Sequence, residues 1–207
     1  MPENLHKLFV VSSPSGGGKT SLIAKIFEDP RSSNFQKSIS DTSRKRRMGD
    51  IEGKDYYFVS KEDFELKIQN DQYLEYARVF ENYYGTSKKE VETKFRHSNL
   101  ILELDWQGAY AIKKLFDKAQ LIFLLPPSLK TLKDRLKKRN LDTSESIEKR
   151  FLEAKKEIEK SREYDFLVLN DDFNQALADL KLILFEEITP KDFKSRVRQE
   201  LVKRLVE

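Results

Sequence analysis

The chain has 207 residues, 38% of them hydrophobic and 36% charged, with a formal net charge of +4. That is room for one domain with a sizeable core and a mildly basic surface, suited to anionic small molecules without demanding nucleic acid. The lack of cysteine excludes a disulfide framework or thiolate metal site, and two histidines, His6 and His97, argue against a histidine-rich metal centre.

The opening MPENLHKLFVV has neither the basic start nor the long apolar stretch of a signal peptide. No apolar run approaches the roughly 18 residues of a membrane span. A soluble, cytoplasmic protein is expected. In chain order, LFVV (8–11) reads as a buried strand, followed by a glycine-rich turn and a helix opening at Lys19. The segment 36–86 breaks the rhythm with YYFV (56–59), YLEYARV (73–79) and many aromatics, and predicts a small β-rich insertion. Within it Ser60-Lys-Glu-Asp63 marks a possible helix start, and Ser87-Lys-Lys-Glu90 has the capping-box form that should open a helix back to the core. LILEL (100–104), LIFLL (121–125) and FLVL (166–169) read as further buried parallel strands. Between the last two, Leu129, Leu132 and Leu136 share one helical face, as do Ile147, Phe151, Ala154 and Ile158. Phe193, Val197, Leu201 and Leu205 at spacing four predict a terminal amphipathic helix from Asp192 onward. Strands alternating with helices imply an α/β fold with a central parallel sheet.

Only seven glycines occur in the chain, and three stand together in FVVSSPSGGGKTSLIAKIF (9–27). Strand, glycine-rich turn and helix form a phosphate cradle in which Ser13, Pro14, Ser15, Gly16, Gly17, Gly18, Lys19, Thr20 and Ser21 surround the anion. Glycine lets the backbone approach phosphate oxygens and reach positive φ, and the helix N-terminus adds its partial positive charge. Lys19 would reach the β- and γ-phosphates, and Thr20 would offer its hydroxyl to Mg²⁺. The usual pattern is G-x-x-x-x-G-K-[ST]; Ser13 stands at its first glycine. A flexible linker is the plain alternative, but linkers rarely join an apolar strand to an amphipathic helix.

The stretch SISDTSRKRRMGDIEGKDYYFV (38–59) read alone could be a nucleic-acid patch or a solvated charge run. Its SxSxTxR, the arginine three residues later and the following GxxxGxxYxF resemble the acceptor-binding segment of guanylate kinases. LEYARVFENYYGT, LELDWQGA and LNDDF resemble that family too, in the same order, so the likeness extends to about residue 187. It implies a phosphate-loop NTPase-like parallel sheet core flanked by helices, with a small β-rich inserted GMP-binding subdomain and a helical lid. The expected layout is a single domain over 1–207. Its core is 1–35, 88–128 and 165–190, its insertion 36–87, its lid 129–164 and its C-terminal helix 191–207.

The resemblance implies that Arg44 and Arg47 grip the GMP phosphate, with Tyr56 and Tyr84 hydrogen-bonded to it. A guanidinium fork suits phosphate bidentately, which lysine cannot match. Glu75 takes the family position that accepts the N1–H and N2–H donors of guanine, with Ser40 and Thr86 as the accompanying hydroxyls. Adenine lacks that donor pair, and a site built this way rejects it by about 10⁴ or more. Read without the family, Glu75 would be the outward residue of an alternating strand, and Tyr56 and Tyr84 ordinary strand aromatics. Asp105 is implied near the acceptor base and, through water, near Mg²⁺; the competing reading is a strand-end carboxylate capping the next helix. Glu103 stands where the family usually has an aspartate.

For the donor, Arg135 is implied near adenine, Asn170 in contact with the adenine of ATP, and Arg139 and Arg150 over the transferring phosphoryl group. Asn140 replaces the family's glycine after the second arginine, and asparagine tolerates left-handed backbone geometry. The alternative for these cations is a solvated helical face. The implied reaction carries the γ-phosphoryl group of ATP to GMP and also dGMP, giving ADP and GDP, with Mg²⁺ bound alongside ATP. It needs no general base, because a nucleoside monophosphate (second pKa near 6) is largely dianionic at neutral pH. Lys19, Arg44, Arg139 and Arg150 would carry the catalysis by offsetting charge repulsion, and the lid and insertion should close to exclude water. The alternatives are a catalytically inactive module of the same fold that binds phosphopeptides, a phosphate-loop kinase for another acceptor, and nucleic-acid binding through RKRR. Such modules lose the phosphate-loop lysine and glycines, which this chain keeps. Monomer and homodimer both stay open, and no membrane partner is expected.

Overall fold

The structure, a computed structural model, describes residues 6–79, 81–138, 144–197 and 199–206. In chain order the elements are β1 (Leu8–Ser12), α1 (Lys19–Ile26), β2 (Phe35–Lys37), β3 (Asp41–Thr42), β4 (Tyr57–Phe58), α2 (Lys61–Gln69), β5 (Tyr73–Val79) and β6 (Asn82–Ser87). There follow α3 (Lys88–Phe95), β7 (Asn99–Glu103), α4 (Trp106–Leu115), β8 (Gln120–Leu125), α5 (Leu129–Lys138), α6 (Ser144–Lys160), β9 (Phe166–Leu169), α7 (Phe173–Phe185) and α8 (Gln199–Val206). The fold is α/β, with parallel strands flanked by helices and a second, smaller sheet. The chain divides into two compact units, residues 1–8 with 34–119 and residues 9–33 with 120–207.

In the second of these units β1, β8 and β9 run parallel, with Val11 beside Ile122 and Leu124 beside Val168. Nearly every residue of β1 and β8 is buried, which is why these strands read as continuous apolar runs. Helix α1 buries Leu22, Ile23 and Ile26 and packs with α7, which buries Leu180, Ile183 and Leu184. Helices α5 and α6 pack together, and Lys133 pairs with Glu148 at 3.0 Å while its ammonium lies over the Phe151 ring.

The terminal helix differs from expectation. Instead of starting at Asp192, α8 begins at Gln199 and buries Val202 and Leu205, packing with α6. A turn intervenes, with the N–H groups of Asp192 and Phe193 donating to the Thr189 carbonyl at 3.0 Å. Beyond it Phe193 packs edge-on against Phe166, ring centroids 5.6 Å apart, and the Ser195 hydroxyl donates to the Leu167 carbonyl. Tertiary contacts with β9 therefore outweigh the helical spacing of Phe193 and Val197.

In the other unit β2 lies parallel to β7, with Gln36 beside Leu100. No apolar run announces β2, and it begins the segment that sequence assigned to the insertion. The small sheet has the order β4-β3-β6-β5, with β5 and β6 an antiparallel hairpin. Ser60 caps α2 by accepting from the Asp63 N–H, and Ser87 caps α3 from the Glu90 N–H, as their spacing predicts. Phe64 of α2 is fully buried, stacked on Tyr73 at 4.5 Å and Tyr83 at 5.1 Å. Gly85 makes this possible, since a β-carbon there would stand 2.9 Å from the Phe64 ring. The buried Asp41 carboxylate ties helix to sheet, accepting from Lys67 Nζ and from the Tyr73 hydroxyl at 2.7 Å each.

Phe64 is thus the centre of the small sheet's core. Phe64→Ala should destabilise the protein by about 3–5 kcal/mol, read from chemical denaturation, because two stacked rings lose their common partner.

Candidate active site

The glycine-rich turn expected to hold the donor is built on the exit of β1. The Gly17 N–H closes a turn onto the Pro14 carbonyl at 2.8 Å, and the Ser13 hydroxyl donates to the same oxygen at 3.2 Å. Gly16 and Gly18 hold φ of +84° and +90°, the left-handed region that sequence reading required of them. Gly17 is needed for another reason: a β-carbon there would sit 2.8 Å from Ser13 Cβ and 2.9 Å from the Pro14 carbonyl. Ser13 thus fills the position of the usual first glycine while its side chain packs inside the loop.

Helices α2, α3, α4 and α7 each receive a side-chain cap, from Ser60, Ser87, Asp105 and Asp172. Helix α1 starts at Lys19 from Gly18, with no side-chain cap. A helix N-terminus of this kind carries the partial positive charge that favours an anion. Lys19 is half-buried, and Thr20 and Ser21 are exposed.

Asn170, buried at the end of β9, locks this loop from behind. Its side-chain amide donates to the Gly17 carbonyl at 2.6 Å, and its own N–H donates to the Leu125 carbonyl at 2.8 Å. Arg135 of α5 donates from Nη2 to the Asn170 carbonyl at 3.1 Å, while its buried Nη1 has no partner among the described residues. The structure therefore brings together Asn170, Arg135 and the glycine loop. Arg150 lies half-buried on α6. Arg139 and Asn140 fall outside the described residues.

The residues expected to bind the acceptor lie in the other unit. Glu75 of β5 is 7% exposed, and one carboxylate oxygen accepts from the hydroxyl of the fully buried Thr86 on β6. The other oxygen faces α4: a β-carbon at Gly108 would stand 2.6 Å from Glu75 Oε2. Burial pushes the Glu75 carboxyl up to about 7; the Thr86 hydrogen bond opposes this and the Asp105 charge adds to it. Glu75 points inward, so the outward-facing alternative is excluded. Asp105 caps α4, its Oδ1 accepting from the Gly108 N–H at 3.0 Å, so the capping reading holds for that oxygen. Ser40 stands at the entry to β3, its carbonyl accepting from the Tyr57 N–H at 3.0 Å.

Arg44, Tyr56 and Tyr84 also meet. The Tyr56 and Tyr84 rings are edge-on at 5.7 Å, and the Arg44 guanidinium lies 5.5 Å from the centroids of both Tyr56 and Phe58. Burial pushes the Tyr56 hydroxyl up to about 12. Arg44 Nη2 pairs with Asp50 at 2.9 Å, and Asp50 also accepts from the Arg47 N–H at 2.7 Å. The Arg47 side chain is exposed. Glu103 lies 3.4 Å from Lys37 Nζ.

Asp50, Gly108 and Lys37 were not anticipated. Asp50 had a local signal, an acid three residues after Arg47 in the turn RMGD. Gly108 and Lys37 had none, because their partners, Glu75 and Glu103, are remote in sequence.

A glycine-loop cradle opening an uncapped helix, with a separate pocketed carboxylate and an arginine–tyrosine cluster, defines a phosphate-loop nucleotide phosphotransferase. The guanylate kinase family model matches residues 5–187. Guanylate kinase of Francisella tularensis (strain FSC 198) is 47% identical over 173 residues, covering 82% of this chain and 91% of that protein. Guanylate kinase of Photorhabdus laumondii is 42% identical over 200 residues, covering 96% and 97%. The crystal structure of guanylate kinase from Anaplasma phagocytophilum superimposes with a TM-score of 0.72 at 30% identity, covering 99% of this chain and 98% of that one. This chain belongs to the guanylate kinase family.

The Glu75 carboxyl carries a stability signature. Its folded pKa near 7 lies above the ordinary 4.5, so its contribution is fully present below about 4.5 and is lost as pH rises through about 7. Glu75→Gln should therefore stabilise the free protein above pH 7 by roughly 3 kcal/mol, a gain that shrinks as pH falls towards 4.5. Denaturation midpoints at pH 8 and pH 5 measure it.

Proposed function

We propose that this protein transfers the γ-phosphoryl group of ATP to GMP, and to dGMP, yielding ADP and GDP. The observation that carries the acceptor assignment is the buried Glu75 carboxylate, set between the Thr86 hydroxyl and the bare α-carbon of Gly108. Ionised, it is acceptor-only and suits the paired donors on guanine's edge; an adenine ring nitrogen would leave it facing a lone pair. Arg44, already braced by Tyr56 and Phe58, supplies the charge for the GMP phosphate, with Arg47, Tyr56 and Tyr84 completing the grip. Asp50 pairs with Arg44 at 2.9 Å and so fixes the guanidinium that the GMP phosphate would meet.

On the donor side the Gly16–Gly18 backbone and the α1 N-terminus hold the ATP phosphates, and Lys19 follows the charge that develops on the transferring group. Thr20, exposed in the first turn of α1, offers the kind of hard oxygen ligand that Mg²⁺ takes together with nucleotide phosphates. Bound there with ATP, Mg²⁺ would neutralise phosphate charge. Arg139 and Arg150 complete the cationic surround. Retention of Lys19 and all three loop glycines tells against a silent phosphopeptide-binding module. Among the described residues no helix is long and apolar enough to cross a membrane, and the reading places the enzyme in the cytoplasm with its substrates.

Lys19→Met should lower turnover by about 10²–10³ while GMP affinity stays unchanged, measured by coupled ADP release and by calorimetry. Normal turnover in that variant would overturn the donor assignment. Glu75→Gln should erode the preference for GMP over AMP in the same assay, because a carboxamide presents one acceptor and one donor to the guanine edge. Unchanged selectivity would move base recognition to other residues.

A further inference from the structure

Residues 188 onward lie beyond the family match, yet they reach back to the donor side. Strand β9 ends the β1-β8-β9 run of its unit, and side chains of the tail serve the carbonyls on its far side. The Ser195 hydroxyl takes the Leu167 carbonyl, and Arg196 Nη2 takes the Leu169 carbonyl at 2.8 Å. Arg196 Nη1 then pairs with Asp171 at 2.8 Å, and its Nε reaches Asp179 of α7 at 3.3 Å. One guanidinium thus grips the residue before Asn170, the residue after it, and the helix that follows. Three charge-assisted contacts from a planar fork define the position of a short segment as a single flexible lysine could not.

We propose that Arg196 is a positioning residue for the donor nucleotide. It fixes the 169–171 step so that the Asn170 amide meets the Gly17 carbonyl and the Asn170 carbonyl meets Arg135. The tail is then part of the donor site's support, although it touches no nucleotide itself. This inference rests on the donor-site reading given above.

The test uses the full chain with Arg196→Ala, Arg196→Lys, Asn170→Ala and the Arg196→Ala/Asn170→Ala double variant. Arg196→Ala should raise KM for ATP roughly tenfold, the scale of a lost charged hydrogen bond, with KM for GMP unchanged. Arg196→Lys should recover only part of that. The double variant should be no worse than Asn170→Ala alone, because Arg196 acts through Asn170. Additive effects, an unchanged KM for ATP, or equal rises in both KM values accompanied by a lowered melting temperature would each overturn the proposal. Hydrogen exchange at the Gly17 amide, without nucleotide, should quicken in Arg196→Ala. That reads the coupling even if wild-type turnover were to disprove the assigned reaction.

Discussion

The hydrogen bond from the buried Asn170 amide to the Gly17 carbonyl is the constraint on which the donor side depends. A phosphate-binding loop must aim its N–H groups at the ligand, so its carbonyls turn away and need partners elsewhere. Asn170 supplies one across 153 residues of sequence, and the bond is short because Gly18 has no β-carbon to hold the amide off. Within the loop the Gly17 N–H closes onto the Pro14 carbonyl, and Leu132 and Leu136 of α5 pack against Gly16. The loop backbone is therefore held by contacts from both near and far in the chain.

The acceptor side solves the opposite problem. A carboxylate proposed to read guanine gains discrimination from being shielded from water, yet shielding costs it stability when ionised. Glu75 is relieved on one oxygen by Thr86 and left free of side-chain intrusion on the other by Gly108. Its raised pKa is the residue of that compromise. Asp105 joins the two tasks: capping α4 through the Gly108 N–H, it fixes the glycine that borders Glu75.

Arg44, proposed to grip the acceptor phosphate, shows how a strong cation is kept ordered. Two aromatic rings support its face and Asp50 satisfies an edge, while the same Asp50 oxygen pins the Arg47 backbone. Such an arrangement lowers the side-chain entropy lost on binding, since the guanidinium is already confined.

The core strands, the phosphate loop and the caps at Ser60 and Ser87 were legible in the sequence because each depends on neighbours within a few residues. Apolar runs mark strands covered on both faces, adjacent glycines mark backbone that must bend, and a hydroxyl three residues before an acid marks a helix start. The acceptor residues were legible through the resemblance of their motifs; taken one at a time, Glu75 and the tyrosines read as ordinary strand positions. Folding alone settled that Glu75 faces inward, that Asp50 braces two arginines, that Gly108 makes room for a carboxylate, and that the tail leaves its helical pattern to grip β9. Each of these joins side chains through space, where burial and hydrogen bonding outweigh local propensity, and no local pattern records such partnerships.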